Sequence, residues 1–561
     1  MRKARVGRLG SEEAGWNPGR IRENLNKFVP KFPIQQKKLT IYRAGASDLP
    51  ESPLVPLSYI KTFFILENEK IIDAYHYKCI FKSLEPLNKV EDEITLVFFN
   101  SDLSTVENLA LADLSMRVIQ IDPSTGKCRY YKNAVDIELL PVKKECVFKY
   151  SHNMEAWNSR INKIAEKFDI PSETLENGTK VLVQACAFDN CTTARGTGLK
   201  TWKVAKWCEC HRISTSYDKT KEKVLKSNPV YKQQCELKDE ATKAMCYTSE
   251  SFARKADTRT WRAENRQDND LVKKWDIVVK VTEYNKKSMP LKEFVLDHKE
   301  VTDVAGICFD RLEKLSALSL ESVNCYLLLQ DVCDSSCNTT CFREFKKELK
   351  KDLKTRVLKD CIDDHSLFAK ACEPVLSSLN FEAMAVIETQ LNTDYGTIVK
   401  NYFLDGKWRE LIWCDGDLPI IQTILDDEEK EQENLLFGIT SAKTLPTAKR
   451  VKQSIKQQQN QAMFNKYLAY RRYAVKNPII DIDTENCRNY ADNILGYLSA
   501  YLAQDYHFGR FLLRVMGLPV ASATSETTFS VIACNTKVNS KLETINARCK
   551  SAGAKNLLLK K

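Results

Sequence analysis

The sequence lacks any uninterrupted apolar run of membrane-spanning length, and its opening residues, MRKARVGRLGSEEAGWNPGR, are basic without the apolar stretch of a secretory leader. These absences argue against a membrane partner and predict a soluble, intracellular protein. No repeat with a period of about 20 to 50 residues is present, which excludes solenoid and propeller arrays. Because no export signal accompanies them, the 20 cysteines spread over 561 residues read as reduced, buried thiols and not as a disulfide framework. What is present is a globular composition, 43% hydrophobic and 9% aromatic, in a chain long enough for about two to four domains. Lys and Arg total 85 against 74 Asp and Glu, a surplus of 11 that is compatible with a polyanionic partner without requiring one.

Composition shifts along the chain. Residues 1 to about 60 are rich in Pro, Lys, Gly and Ser and read as a loose basic arm, whereas residues 425–465 run acidic, then basic, then Gln-rich, as a solvated linker or exposed helix does. Between 265 and 400 the pattern is helical: LEKLSALSLESVNCYLLLQDV and FREFKKELKKDLKTRVL carry apolar residues at spacings of three and four. Within this region Cys333, Cys337 and Cys341 recur every fourth residue, as on one helix face, and the lysines from 346 to 354 read as a solvated face.

The informative architecture lies between residues 93 and 190. EITLVFF is a β-favouring apolar run followed by Asn100, Ser101 and Asp102, which predicts a buried strand delivering Asp102 at its C-terminal edge. LSMRVIQID, the turn PSTGK and RYYKNAVDIELL predict a hairpin of two further strands. Trp157, Ile161, Ile164, Ala165 and Phe168 mark one helix face, and KVLVQACAF is a second buried strand, followed by Asp189. A crossover helix returns the chain so that this strand lies parallel beside the first, bringing Asp102 and Asp189 to one edge. Two carboxylates there, joined by a third from a later helix, are the donor set for divalent cations in phosphoryl transfer.

One stretch near the C-terminus, LPVASATSETTFSV (residues 518–531), supplies a candidate for that third carboxylate, Glu526. It resembles the C-terminal signature of hAT-family transposases: a proline, small residues, Ser-Glu, then Phe-Ser. FGRFLLRVMG and NKYLAYRRYAVKNPIIDI are similar to the helices leading into that signature. FNSDLSTVENLALADLSMRVIQID and VLVQACAFDNC resemble the two acidic strands, and Cys208 and His211 in KWCECHRI match the family's C-x-x-H. DTRTW and AKACEPVLSSLNF are similar to further family segments.

The resemblance implies an α/β fold, an RNase H-like mixed sheet interrupted by a large helical insertion, with C-terminal dimerisation helices. The implied organisation is a poorly defined basic arm (1–85), the first part of the core (86–264), a helical insertion (265–410), a charged, Gln-rich linker (411–465) and a dimerisation region completing the core (466–561). It implies a catalytic, metal-binding triad of Asp102, Asp189 and Glu526 holding Mg²⁺ or Mn²⁺, with the carboxylates within roughly 4 to 9 Å of one another. DNA, a second copy of the chain and a nuclear location follow, with no small-molecule substrate. The chain departs from the family at Thr527, where Arg is usual, at Ser104, and at the extra Thr260; no Cys/His pair of a BED-type zinc finger precedes Cys79.

Other readings of the same residues stay open. Asp102 and Asp189 also suit ordinary turns, and Pro519, Ser522 or Thr524 with Glu526 suit a helix start. Cys186, Cys191, Cys208 and His211 have the ligand types and rough spacing of a Zn²⁺ site. Two functions are therefore compatible with the resemblance: a metal-dependent DNA transposase, or a transposon-derived protein that has lost catalysis and retains dimerisation and DNA or chromatin association. The apolar helical pattern of Tyr467, Leu468, Tyr470, Tyr473, Leu495, Tyr497, Leu498, Tyr501, Leu502, Phe511, Leu512 and Leu513 predicts self-association through residues 466–560.

Overall fold

The computed structural model describes residues 57–106, 109–139, 150–188, 198–246, 260–282, 288–375, 378–419, 448–480, 482–522, 528 and 542–558. Helix α1 (Leu57–Leu84) precedes a meander of antiparallel strands, β1 (Ile94–Val106), β2 (Leu109–Ile121) and β3 (Cys128–Leu139). Helix α2 (Tyr150–Lys167) then crosses over, and after the short β4 (Ser172–Thr174) strand β5 (Lys180–Phe188) runs parallel to β1, with β6 (Trp202–Trp207) parallel on its far side. The chain is a mixed α/β protein with a mixed six-stranded sheet. Strand β1 touches β5 only over Phe99–Ser101 and Cys186–Phe188, and β4 pairs with the start of β5, over Lys180–Leu182.

The expected strands and the parallel return are present, but β1 does not stop at Asp102. It continues to Val106 on β2 alone, so Asp102 marks the end of the parallel ladder and not the end of the strand.

Alternation along the strands separates two cores. Val97, Phe99, Leu114, Met116, Leu182 and Cys186 face the side covered by Trp157, Ile161 and Ile164 of α2. Leu96, Phe98, Ile119, Val183 and Ala185 face a larger core built with the remaining helices. These are α3 (Glu209–Ser227), α4 (Pro229–Cys246), α5 (Thr260–Lys273), α6 (Trp275–Thr282), α7 (Ser288–Leu312), α8 (Glu321–Asp334), α9 (Thr340–Leu353), α10 (Asp364–Ala371), α11 (Ser378–Leu391), α12 (Tyr395–Leu404), α13 (Ala448–Lys476), α14 (Cys487–Tyr501), α15 (Tyr506–Gly517) and α16 (Leu542–Leu558). No helix among the described residues is long and apolar enough to cross a membrane. All 16 described cysteines are free thiols, and most are buried.

Several local expectations change. The apolar pattern from Leu312 to Val332 is broken between α7 and α8, because the carbonyls of Leu315 and Ala317 turn towards Arg117 of β2. Cys333, Cys337 and Cys341 do not share one helix: Asp297 of α7 accepts from the backbone N–H groups of Asn338 and Thr339 and fixes a turn there. Lys346, expected on a solvated face, is buried and paired with Glu300 at 2.8 Å. The stretch expected as linker is helical from Ala448, and position 466 falls inside α13.

Most of the apolar residues expected to join two copies instead close this chain's own core. Tyr467, Tyr470, Leu495, Leu498, Tyr501, Leu502, Phe511, Leu512 and Leu513 are buried within the larger cluster, where Phe368 stacks on Tyr402 with ring centroids 4.4 Å apart and also meets Tyr467 and Phe511. Tyr473 and Tyr497 are half-buried against it and Leu468 is exposed, so the greater part of the surface that motivated self-association is covered within the chain.

Arg117 connects the sheet to two segments of the larger core, the turn after α7 and the end of α15. Its guanidinium donates to the carbonyls of Leu315 at 2.8 Å, Ala317 at 2.6 Å and Gly517 at 3.0 Å. Burial lowers its pKa to about 10, so it remains charged at neutral pH. Replacing it by Met leaves three carbonyls without their donor and should lower stability by about 3 to 5 kcal/mol in urea unfolding. Arg117→Lys should recover little, since an ammonium lacks the planar fork that reaches three acceptors.

A second buried polar cluster joins α3, α4, α5 and α7. The His298 imidazole has Asp268 2.5 Å from Nδ1 and Glu264 3.1 Å from Nε2. Tyr217 lies 2.7 Å from Nε2, Lys238 bonds Asp268 at 2.5 Å and lies 3.0 Å from Nδ1, and Lys221 pairs with Glu264. Burial works against the charged imidazole, but Asp268 and Glu264 outweigh it and the His298 pKa is raised. A raised histidine contributes stability that is complete below its unfolded pKa of about 6.5 and is lost as pH climbs through the folded value. Glu264 is held well below the ordinary carboxylate range and Asp268 is lowered, so their contribution is lost on acidification. Stability should therefore be greatest between about pH 4.5 and 6.5. The decline on the alkaline side should flatten in His298→Gln, as read from thermal midpoints across pH.

Candidate functional site

The expected site begins with two neighbouring strands whose inward rows turn polar towards one end. On β1 the row Leu96, Phe98 continues as Asn100 and Asp102; on β2 the row Ile121, Ile119 continues as Arg117, Ser115 and Asp113. The antiparallel register pairs Asn100 with Ser115 and Asp102 with Asp113, and directly opposed residues share a face. Asp102 and Asp113 are therefore neighbours on the face that looks towards the larger core. Asp102 is 8% exposed, and Asp113 is fully buried. On the opposite face, Trp157 Nε1 donates to Ser101 Oγ at 2.8 Å and pins β1 against α2.

The C-terminal segment reaches this row from more than 400 positions away in sequence. Helix α15 starts on Asp505, whose carboxylate accepts from Phe508 N–H, and ends at Gly517 against the Phe98 ring. A Cβ at Gly517 would lie 2.7 Å from that ring, so only glycine permits the approach that lets its carbonyl meet Arg117. Beyond it, Val520 O accepts from Glu209 N–H at 3.1 Å, while Cys208 N–H bonds Phe188 O at 2.7 Å. The N-terminus of α3 is thus held between β5 and the returning segment. Farther along, Thr528 Oγ1 lies 3.2 Å from Ser115 Oγ. Ser115 donates its single proton to Asp113 Oδ2 at 2.6 Å, so Thr528 is the donor to Ser115.

Of the expected triad, Asp102 is in place beside the last rung of the β1–β5 ladder, Ser101 opposite Phe188. Asp189 and Glu526 lie outside the described residues; their neighbours Phe188, Ser522 and Thr528 are described, and Ser522 is buried. Among the described residues no three His, Cys, Asp or Glu side chains converge to hold a metal.

The residues of the alternative zinc site divide across the sheet. Cys186 belongs to the core on the α2 side and Cys208 to the larger core on the other side, and Cys191 lies outside the described residues. The two thiols also differ electrostatically. Burial, with the charge of Asp113, pushes Cys186 well above the usual thiol range, whereas Cys208, despite burial, is held well below it by Cys210, His211 and Ser522. Beside Cys208, burial pushes the Glu209 carboxyl up to about 8, although Lys206 opposes this; its acceptor contact is the Ser322 hydroxyl.

Comparison of the chain with protein-family models gives no match, and no curated protein matches it either.

The site residue that sequence reading missed is Asp113. The signal was available in LADLSMRVIQI: Asp113, Ser115 and Arg117 share the parity of Ile119 and Ile121, so three polar residues occupy inward positions of a central strand. Ser115→Ala should remove the hydroxyl that bridges Asp113 and Thr528, lowering stability by about 1 to 2 kcal/mol in denaturant unfolding. Ser115→Thr, which retains the hydroxyl, should lose less.

Proposed function

We propose that the chain is a hAT transposase-like, DNA-associated protein whose sheet face is a divalent-metal site for phosphoryl transfer on DNA, formed by Asp102, Asp189 and Glu526. The observation that carries this reading is the return of the C-terminal segment. Gly517 and Thr528, flanking the stretch that contains Glu526, bond Arg117 and Ser115 on the strand opposite Asp102. Helix capping requires no contact between residues so distant in sequence. The strand order β3-β2-β1-β5-β6, antiparallel for the first three and parallel for the last, supports an RNase H-like assignment of the sheet.

The donor chemistry suits Mg²⁺ or Mn²⁺. Asp102 supplies carboxylate oxygens, as Asp189 and Glu526 would, and these are the hard donors those ions favour, whereas the cysteines are divided between the two faces. When bound, such ions activate the attacking oxygen and stabilise the leaving one. Asp113 is a positioning residue: fully buried and bonded to Ser115, it orients the Ser115 hydroxyl that receives Thr528, and so fixes the arriving segment. One observation favours the second reading, a catalytically silent descendant that still associates with DNA: Asp102 is only 8% exposed.

The purified chain, titrated with Mg²⁺ or Mn²⁺, should gain thermal stability, and Asp102→Asn should lose that gain. Cleavage of duplex DNA by the intact chain should fall about 10³-fold in the same variant. Metal stabilisation without cleavage would identify the silent descendant. DNA cleavage indifferent to Asp102, or no response to either ion, would sink the metal-site reading.

A further inference from the structure

At the other end of β1 lies a cleft in which cationic side chains outnumber anionic ones. It opens between the end of α1, the first residues of β1 and the flank of α15, and is lined by Lys82, Ser83, Thr95, Arg510 and Arg514. Arg510 and Arg514 are one helical turn apart on α15 and both are buried. They share one carboxylate: Asp417 pairs with Arg514 Nη1 and lies 3.6 Å from Arg510 Nη1. Two guanidiniums against one carboxylate leave a buried excess of one positive charge, and Lys82 at the exposed rim adds a second.

The hydrogen bonding is incomplete in the same place. Arg514 is 1% exposed and its Nη2 has no partner, while the other Nη is occupied by Asp417 and the carbonyl of Leu411. The Thr95 hydroxyl in the same lining is also buried without a partner. Arg510 gives one bond to the carbonyl of Glu85 at 3.4 Å. The Trp413 ring lies against the Arg514 guanidinium, 4.6 Å from ring centroid to Cζ. A buried donor without an acceptor costs about 1 to 3 kcal/mol, and more when it is charged. The void beside these groups is about 10 Å³, room for about one water-sized atom.

We propose that this cleft is a binding site for a compact oxyanion, with one oxygen of a phosphate group entering between Arg510 and Arg514 and the rest of the group held at the rim by Lys82. A water molecule would fill the void but leave the surplus charge. A phosphate oxygen accepts from the idle Nη2 and balances the charge together, and a planar guanidinium fork matches oxyanion geometry. The phosphate has two sources, free inorganic phosphate or a nucleic-acid phosphate. Thr95 of the site lies seven residues along β1 from Asp102, about 23 Å for an extended strand, and the site does not rest on the phosphoryl-transfer reading.

The test uses the full chain and sodium phosphate, titrated at constant ionic strength against sodium chloride, with the thermal midpoint and calorimetric heat as readouts. A saturable stabilisation by phosphate that chloride does not reproduce is expected. Affinity should fall by about tenfold or more in Arg510→Gln and also in Lys82→Glu. Lys82 is exposed, so its variant decides the matter even where Arg510→Gln fails to fold. Competition by a 5′-phosphorylated oligonucleotide, but not by its unphosphorylated form, assigns the site to nucleic-acid ends; competition by neither assigns it to the free anion. An unsaturable response, equal stabilisation by chloride, or phosphate affinity unchanged in Lys82→Glu would overturn the proposal.

Discussion

The fold depends on one buried cation meeting three carbonyls. Arg117 projects from a central strand into the larger core, where its hydrogen bonds run to the turn after α7 and to the last residue of α15. A desolvated guanidinium is costly unless its donors are matched. The Gly517 carbonyl is a suitable partner, because the C-terminal end of a helix carries partial negative charge and its last acceptors lack intrahelical donors, and the turn carbonyls of Leu315 and Ala317 complete the set. The match is reciprocal: the helix end and the turn gain donors and the cation gains acceptors without introducing a second buried charge. It also fixes position. An apolar helix face slides over an apolar sheet at little cost, whereas three carbonyls meet one fork in one arrangement.

That constraint explains which parts of the fold were legible in the sequence. Strands β1, β2, β3 and β5 were readable because each is a β-favouring run whose apolar residues are buried, and their parallel return followed from the crossover helix. Strand β6 was not, because WKVAKW carries a lysine on each face, Lys203 and Lys206, and resembles a solvated segment. Lys206 is in fact buried, bonded to Ser366 of α10 at 2.7 Å and 3.3 Å from Asp363, which caps that helix, partners about 160 residues away that no local pattern announces. The break after Leu312 was hidden for a related reason. Its apolar spacing continues smoothly, and what stops the helix is a demand by Arg117 for backbone carbonyls, which every residue possesses equally.

The candidate site divides in the same way. Asp102 was found because it follows an apolar run, and the segment of Glu526 because a short motif resembles a known signature. Asp113 was missed because polar residues on an alternating strand suggest a solvated face, although its row shares the parity of Ile119 and Ile121, and the register with β1 places that row inward. The aromatic helices near the C-terminus carried the opposite ambiguity. Apolar periodicity states that a face is covered and is silent on whether the cover is another chain or the same one. Here Phe368, Tyr402 and Phe403 cover it.

Helix α15 is fixed at both ends and along one flank. Asp505 caps its start, Arg510 and Arg514 bind its flank to Asp417, Gly517 brings its end against Phe98, and Arg117 takes its last carbonyl. Residues 518–522 follow from that placement, because a chain leaving a fixed helix end has little choice of path over the next few residues. The entropy of closing so long a loop grows only logarithmically with its length, so a separation of 400 residues is a modest thermodynamic burden. The harder problem is fidelity, since a late-arriving apolar helix has many comparable resting places on a large core. Directional bonds at both ends and along one side remove that degeneracy. The polar groups on α15 therefore act less as a source of stability than as the register marks that set where the C-terminal segment meets the sheet.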